Sequence, residues 1–377
     1  MKDNILILSG DPYGGIRKHT HSILNELSNS YNFFYIYGDQ GDEVFKSEIK
    51  DLKKKCTCFK LIVKKFPHPI DVYNIFYIFA VIKKNNIKLI HAHGAKAGLY
   101  SRIVTFFCKI KVIYCPHGGV VHDVFPKYQR LIYNFAEKFL KSKTDIYFFE
   151  SSYTKKKMFD IVGKINRSKY QVIHNGIDLE RVDISKNNKL RKSRSKIVNL
   201  VVIASLRRLK GVDIAIMSLK QLNSTVDNNY SFNLVICGDG HEKNNLENLV
   251  AKLKLKTKVR FYYDIPDVSS IIDIADIILI PSRHESFGYV ALEAGVRKKV
   301  IISAAVGGLR DILNQKNSII VKKNEPDYYT KEILNYLKNS HLYKKKRVLY
   351  NDIKNKFLIK NMIQDIELNY RYILEKE

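Results

Sequence analysis

The chain is predicted to be an α/β protein built from two doubly wound, parallel-sheet units, on three observations. Short apolar runs rich in β-branched and aromatic residues alternate with longer helical stretches almost from end to end. The 377 residues exceed what one ordinary core accommodates. Apolar periodicity stops over Asp183 to Lys196, where Ser, Asn, Lys and Arg crowd together.

In the first half the strand-like runs are Asn4–Leu8, Phe33–Tyr37, Phe59–Val63, Lys88–His91, Val112–Cys115, Ile146–Phe149 and Gln171–His174. In the second they are Val198–Ala204, Leu234–Cys237, Val259–Tyr262, Ile277–Ile280, Val300–Ser303 and Ser318–Val321. Each is short and nearly continuous in apolar character, as strands covered on both faces must be. Ile359, Met362, Ile363, Ile366, Tyr370 and Ile373 recur at spacings of three and four, so the last helix must bury one face. The expected division is 1–184 and 185–355, with a closing helix over 356–377.

The excess of 65 Lys and Arg over 37 Asp and Glu gives a charge of +28, spread over both halves rather than held in a tail. Local clusters occur at Lys53–Lys55, Lys64–Lys65, Lys155–Lys157 and Lys189–Lys196. Nucleic acid, an anionic membrane surface or phosphorylated small molecules are the partners such charge attracts. Helix-turn-helix, zinc-finger and aromatic RNA-binding patterns are missing, which argues against nucleic acid. No secretory signal is visible, and the apolar stretch Val72–Ile82 is too short to span a bilayer. A cytoplasmic protein is expected, with peripheral contact to the inner membrane face open to it. The five cysteines have no C-x-x-C spacing and are expected as free thiols.

The most informative stretch is Pro281-Ser-Arg-His-Glu-Ser-Phe-Gly288, followed by Tyr-Val-Ala-Leu-Glu293. A buried strand precedes it, the Pro-Ser pair ends that strand, and a helix begins near Gly288. Glu285 therefore sits in a loop and Glu293 within a helix, close enough at ~1.5 Å rise per residue for one nucleotide-sized ligand to touch both. The backbone N–H groups of Ser286, Phe287 and Gly288 fall at the helix N-terminus, where unpaired donors and the helix dipole suit a diphosphate. Ser205-Leu-Arg-Arg-Leu-Lys-Gly211 links another strand to a helix and carries Arg207, Arg208 and Lys210 at a sheet's carboxyl edge, where ligands bind in such folds. Gly10-Asp-Pro-Tyr-Gly14-Gly15-Ile-Arg17 follows the first strand, and its glycines let backbone approach a ligand closely. His117, in Cys115-Pro-His-Gly-Gly119, closes the fifth strand. His91 and His93 alternate on the fourth, but spacing identifies no third ligand, so no metal is expected.

Taken together, Pro-Ser-x-x-Glu-x-Phe-Gly followed by Leu-Glu-Ala resembles the donor-sugar motif of the retaining glycosyltransferases of family 4, which have the GT-B architecture. Asn175-Gly-Ile-Asp178, Gly238-Asp-Gly240 and Val306-Gly-Gly308 resemble further family strings, and all occur in family order from residue 5 to residue 313. The resemblance implies two Rossmann-like domains facing a central cleft, the first for the acceptor and the second for the donor, with the closing helix packing back on the first. It implies that Lys210 and one arginine, Arg207 in preference to Arg208, hold the donor diphosphate, with Gly14 and Gly15 facing it. Glu293 would hold the ribose, Glu285 the sugar hydroxyls, and His117 would reach the sugar from the first domain. The usual Gly-Arg-Leu is replaced by Ser205-Leu206, and Asp311 stands where the family often has Glu.

The activity so implied is retaining transfer from a nucleotide-diphosphate sugar, UDP-sugar foremost, to a glycan or lipid-linked glycan hydroxyl in bacterial surface polysaccharide or lipopolysaccharide synthesis. No Asp-x-Asp occurs to hold a divalent metal, and no cofactor is expected beyond the substrate. A UDP-sugar epimerase is the alternative of related fold, separable because it converts the sugar with no acceptor. A nucleic-acid-binding protein is the remote alternative, separable by salt-sensitive duplex binding without UDP affinity.

Overall fold

The computed structural model describes residues 2–41, 43–64, 66–119, 127–179, 197–225, 230–263, 265 and 267–375. The expected junction at 184/185 and the cluster Lys189–Lys196 lie outside them. Two compact units result, one of residues 1–176 with 359–377 and one of 177–358.

In the first unit, β1 (Asn4–Ser9), β2 (Asn32–Gly38), β3 (Thr57–Leu61), β4 (Leu89–His93), β5 (Lys111–Cys115), β6 (Ile146–Phe149) and β7 (Tyr170–Val172) form one sheet in the order 3-2-1-4-5-6-7. Every pairing is parallel, with Ile5 opposite Phe33 and Leu89. The connecting helices are α1 (Gly14–Leu27), α2 (Glu43–Leu52), α3 (Ile70–Lys84), α4 (Ala95–Val104), α5 (Lys127–Leu140) and α6 (Ser152–Val162). Period-two alternation divides the core into two layers: Ile90 and Ala92 of β4 join one face, while Leu89 joins the other with Ile5, Ile7 and Phe148.

The second unit repeats the winding. β8 (Ile197–Ile203), β9 (Ser231–Cys237), β10 (Val259–Tyr262), β11 (Ile277–Ile280), β12 (Val300–Ser303) and β13 (Ile319–Ile320) pair in parallel in the order 10-9-8-11-12-13. The helices are α7 (Val212–Ser224), α8 (Lys243–Lys252), α9 (Ser269–Asp273), α10 (Tyr289–Val296), α11 (Leu309–Ile312), α12 (Pro326–Lys338) and α13 (Lys345–Lys356). In both units the first strand lies inside the sheet, so strand order reverses beside it. Loops leaving the carboxyl ends at such a point diverge and leave room for a ligand.

The last helix, α14 (Ile359–Leu374), begins three residues later than position 356. Phe357 still belongs to the second unit, accepting a hydrogen bond from Ile177 N–H at 2.9 Å. Met362, Ile363, Ile366, Tyr370 and Ile373 of α14 are buried in the first unit's core against the α1 layer. No described helix is long and apolar enough to cross a membrane.

Candidate active site

In the second unit three loops at the sheet's carboxyl edge are fastened to one another. After β8, Leu206 is fully buried and a short 3-10 turn, Arg208–Lys210, leads into α7. Gly211 joins them at φ +66°, and a Cβ there would lie 1.9 Å from the Pro281 carbonyl oxygen. Only glycine lets the first loop approach the second this closely. The backbone N–H of Arg283 donates to Leu209 O at 2.8 Å, and its guanidinium grips Asp213 at 2.8 and 2.7 Å. Asn324 donates to both Pro281 O and Ser282 O at 3.1 Å and accepts from Tyr329 Oη at 3.1 Å. Nothing in the local sequence marked Asn324 for this work.

This bracing brings Lys210 and Glu285 together. Lys210 Nζ lies 2.6 Å from Glu285 Oε2, with the two side chains 19% and 16% exposed, so the pair is sheltered yet reachable. Ser282 Oγ stands 3.5 Å from the same oxygen. The third loop closes over the backbone: Gly308 N–H donates to Glu285 O at 2.9 Å. A Cβ on Gly308 would fall 1.9 Å from Ser286 O. Gly308→Ala is therefore expected to cost about 1–3 kcal/mol of second-unit stability, read by urea unfolding; an unchanged midpoint would contradict the contact.

The Phe287 side chain is buried against Tyr289 and Phe357, at ring separations of 5.8 and 6.1 Å. It anchors the loop, leaving its backbone with that of Ser286 and Gly288 at the start of α10. Glu293 follows within α10, half-buried. Burial, with a smaller contribution from the Glu293 carboxylate, pushes the Cys237 thiol at the end of β9 up to about 11. Arg207 and Arg208 are both exposed on the first loop. The result is a cationic rim, a helix N-terminus and two carboxylates on one edge of one sheet.

In the first unit, Gly14 opens α1 at φ +57°, and the space a Cβ would take there is open, with nothing within 4 Å. Gly14 and Gly15 are both exposed. Deeper in the same unit lies a nest of imidazoles. His117 Nδ1 is 2.6 Å from Glu150 Oε2 and His117 Nε2 is 2.9 Å from His93 Nδ1. His19 Nδ1 is 2.6 Å from Asn175 Oδ1, and His91 Nδ1 is 2.7 Å from Tyr370 Oη.

Sequence reasoning aimed His117 at a donor sugar; the structure commits both of its ring nitrogens within the first unit. Asn175, noted in the sequence only as the start of the Asn175-Gly-Ile-Asp178 string, is a buried partner of His19. His19 adds a third imidazole that spacing along β4 did not reveal, because α1 and β4 become neighbours only through the parallel winding. The ligand atoms of His19, His91 and His93 lie within 4.8 Å of one another, as do those of His93, Cys115 and His117. The first trio is wholly buried, so an ion held there would have no open position toward a substrate.

Electrostatically the nest holds one cation among neutral rings. Burial alone would lower the His117 pKa; the Cys115 sulfur and the Glu150 carboxylate outweigh it and push it up to about 10. Burial raises the Cys115 thiol above its ordinary value, so it is uncharged near neutrality and Glu150 is the effective counter-charge. His117 as imidazolium then donates to both Glu150 and His93. Burial, reinforced by the charge on His117, pushes His19 down to about 3, and burial lowers His91 and His93 as well.

Two opposite pH limbs follow. As pH falls below 6.5 the unfolded chain takes up protons that His19 refuses in the fold, so stability is lost toward about 3. As pH rises from 6.5 the fold keeps a His117 proton that the unfolded chain releases, and that contribution fades through about 10. The nest's stabilisation is expected to peak near the ordinary imidazole value. Glu150→Gln should flatten the alkaline limb in calorimetric melting; an unaltered limb would contradict the assignment.

Comparison with known proteins bears on the family and fold of the two units. The family model "Glycosyltransferase Family 4" matches residues 13–181, and "Glycosyl transferases group 1" matches residues 183–355. The O-antigen biosynthesis glycosyltransferase WclY of Escherichia coli is 24% identical over 341 residues, covering 88% of each chain. An E. coli UDP-Gal:alpha-D-GlcNAc-diphosphoundecaprenol alpha-1,3-galactosyltransferase is 22% identical over 308 residues, 79% of this chain and 78% of that one. HepE of Anabaena, solved with UDP and glucose, superposes with a TM-score of 0.78 at 18% identity, covering 97% of this chain and 99% of that one. With matched models running almost continuously across both doubly wound units, the chain belongs to the family 4 glycosyltransferases of GT-B fold.

Proposed function

We propose that this glycosyltransferase moves a sugar from a UDP-sugar to a hydroxyl of a lipid-linked glycan with retention of anomeric configuration, in bacterial surface polysaccharide synthesis. The observation that carries the reading is the sheltered Lys210–Glu285 pair beside the N-terminus of α10. The names of two relatives support its finer parts, one an O-antigen enzyme and one taking UDP-Gal to a diphosphoundecaprenol-linked sugar.

In this mechanism the C1–O bond to the diphosphate breaks as the acceptor oxygen forms a new bond to C1 from the same face. The acceptor proton passes to the departing diphosphate. Negative charge grows on that diphosphate, and Lys210, Arg207 and the N–H groups of Ser286–Gly288 stabilise it without reorganisation. Protein cations thus stand where other enzymes place a divalent metal. Glu285 steadies Lys210 with one oxygen and offers hydrogen-bond acceptance to sugar hydroxyls; Glu293 takes the ribose hydroxyls. His117 contributes a fixed positive charge at the sheet edge of the first unit, where the acceptor is proposed to bind, on the cytoplasmic face of a membrane.

A thermal-shift series with UDP-, GDP- and ADP-sugars, on wild type, Glu285→Ala and Lys210→Ala, tests the reading. Stabilisation of wild type by UDP-sugars, reduced in both variants, is expected. No stabilisation by any nucleotide sugar, with all three proteins alike, would remove it.

A further inference from the structure

We propose that the outer face of α3, the 105–109 loop and α5 in the first unit is a docking surface for an anionic phospholipid bilayer. This deepens the reading above, which places the acceptor on a lipid.

Helix α5 is amphipathic in the inverted sense. Its inner edge is satisfied: Glu137 and Leu140 are buried, and Glu137 forms a bidentate pair with Arg102 of α4 at 2.7 and 2.8 Å. Its outer edge is apolar, with Leu131 70%, Phe135 71% and Phe139 62% exposed, alongside Ile132. The spacing of these four positions, with Lys138, is one helical face. Since the inner edge already makes its contacts, the outer apolar stripe is surplus to folding.

The stripe continues onto neighbouring elements through ring contacts. Phe139 stacks on Phe106 with centroids 6.2 Å apart, and Phe107 reaches Phe76 and Phe79 of α3 at 6.0 and 6.4 Å. Phe76, Phe106 and Phe107 are themselves half or more exposed. One contiguous apolar surface of this extent on a globular unit marks an interaction site.

Charge selects the occupant. Lys83, Lys84, Lys109 and Lys138 are exposed around this surface. Lys143 Nζ sits 4.3 Å above the Phe106 ring and Lys83 Nζ 5.9 Å from the Phe79 ring, ammonium groups extended beyond aromatic bodies. Over residues 70–84, 105–111 and 127–143 the only acids are Asp71 and Glu137, and both are paired inward, with Lys96 and Arg102. Aromatic and aliphatic groups ringed by unopposed lysines match the acyl boundary and phosphate layer of an anionic leaflet. A second copy related by a twofold axis would set the same lysines against each other, with no carboxylates between them.

The test is flotation of the full-length protein with vesicles of phosphatidylcholine alone or with added phosphatidylglycerol. Wild type should float with the anionic vesicles and be released by salt. Phe135→Ser/Phe139→Ser should lower partitioning by about tenfold or more, Lys138→Glu/Lys143→Glu should also lower it, and Leu368→Ser on the exposed side of α14 should not. Thermal stabilisation by UDP-sugars, measured separately, should stay at the wild-type level in the Phe135/Phe139 variant. Failure of wild type to float, equal flotation of the double serine variant, or indifference to phosphatidylglycerol would overturn the proposal. Dissociation of a lipid-free dimer by the serine substitutions would overturn it in favour of a second copy of the chain.

Discussion

Replacing Lys210 with alanine is expected to lower kcat/KM for sugar transfer by on the order of 10²–10³-fold, the usual effect of deleting one preorganised group that meets transition-state charge. Lys210 Nζ is held 2.6 Å from Glu285, and its loop is fixed by Gly211 against Pro281 O and by Arg283 against Leu209 O. The ammonium is therefore positioned before the diphosphate departs, and its stabilisation grows as the leaving group gains charge. The loss should fall mainly on kcat, because the transition state uses this cation more than the ground state does. Lys210→Arg should recover part of the activity by keeping the charge in altered geometry. Glu285→Gln should act on both kcat and KM, since it frees Lys210 from its tether and weakens acceptance from sugar hydroxyls. Steady-state kinetics on the three variants checks this; a Lys210→Ala enzyme within a few-fold of wild type would contradict it.

The second large effect is on stability. Arg102 and Glu137 are 1% and 4% exposed in their side chains, and Arg102 Nε also donates to Gly98 O at 2.7 Å while its guanidinium lies 4.2 Å from the Tyr114 ring. Glu137→Ala would leave a guanidinium charge in the core with only neutral partners. The expected cost is about 3–5 kcal/mol, measured by urea unfolding of the full chain. Arg102→Met/Glu137→Leu should be much less harmful than either single change, because it removes the charge together with its counter-charge. A Glu137→Ala protein with an unshifted first-unit transition would show that Arg102 finds solvent. Because this pair seats α5, its loss should also displace the apolar stripe on that helix.

Most of the fold was legible because buried parallel strands have a distinctive local signature. Ile146–Phe149, Val259–Tyr262, Ile277–Ile280 and Val300–Ser303 fall where the apolar runs place them. Three of the four edge strands were less well bounded, β10 being the exception: β3 spans Thr57–Leu61 rather than Phe59–Val63, β7 ends at Val172 rather than His174, and β13 spans only Ile319–Ile320. Edge strands have one ladder neighbour, so turn geometry decides where they stop. The start of α14 was also early by three residues, because Lys354 to Leu358 carry no cap that marks the change of unit.

The site was legible only where its residues sit at strand ends. Glu285 and Lys210 could be read as ligand-facing from the strand-to-loop transition, but their contact spans 75 residues and no local pattern encodes it. His19 and Asn175 are 156 residues apart, and no local pattern encodes their contact. Glu150, which charges and orients His117, follows β6 with nothing in its immediate neighbours to distinguish it from a strand-end acid. In each case the missing information was sheet order, which brings the carboxyl ends of β8 and β11 side by side in the second unit and those of β1, β4, β5, β6 and β7 into one row in the first.

Whether protein cations and the α10 N-terminus hold a nucleoside diphosphate in the second unit is tested most directly by calorimetric titration of UDP with a chelator present. Binding by wild type, weakened strongly by Lys210→Ala and by Arg207→Ala but retained in Glu150→Gln, is the predicted result. Absence of UDP binding until divalent metal is restored, or identical binding by wild type and Lys210→Ala, would contradict it.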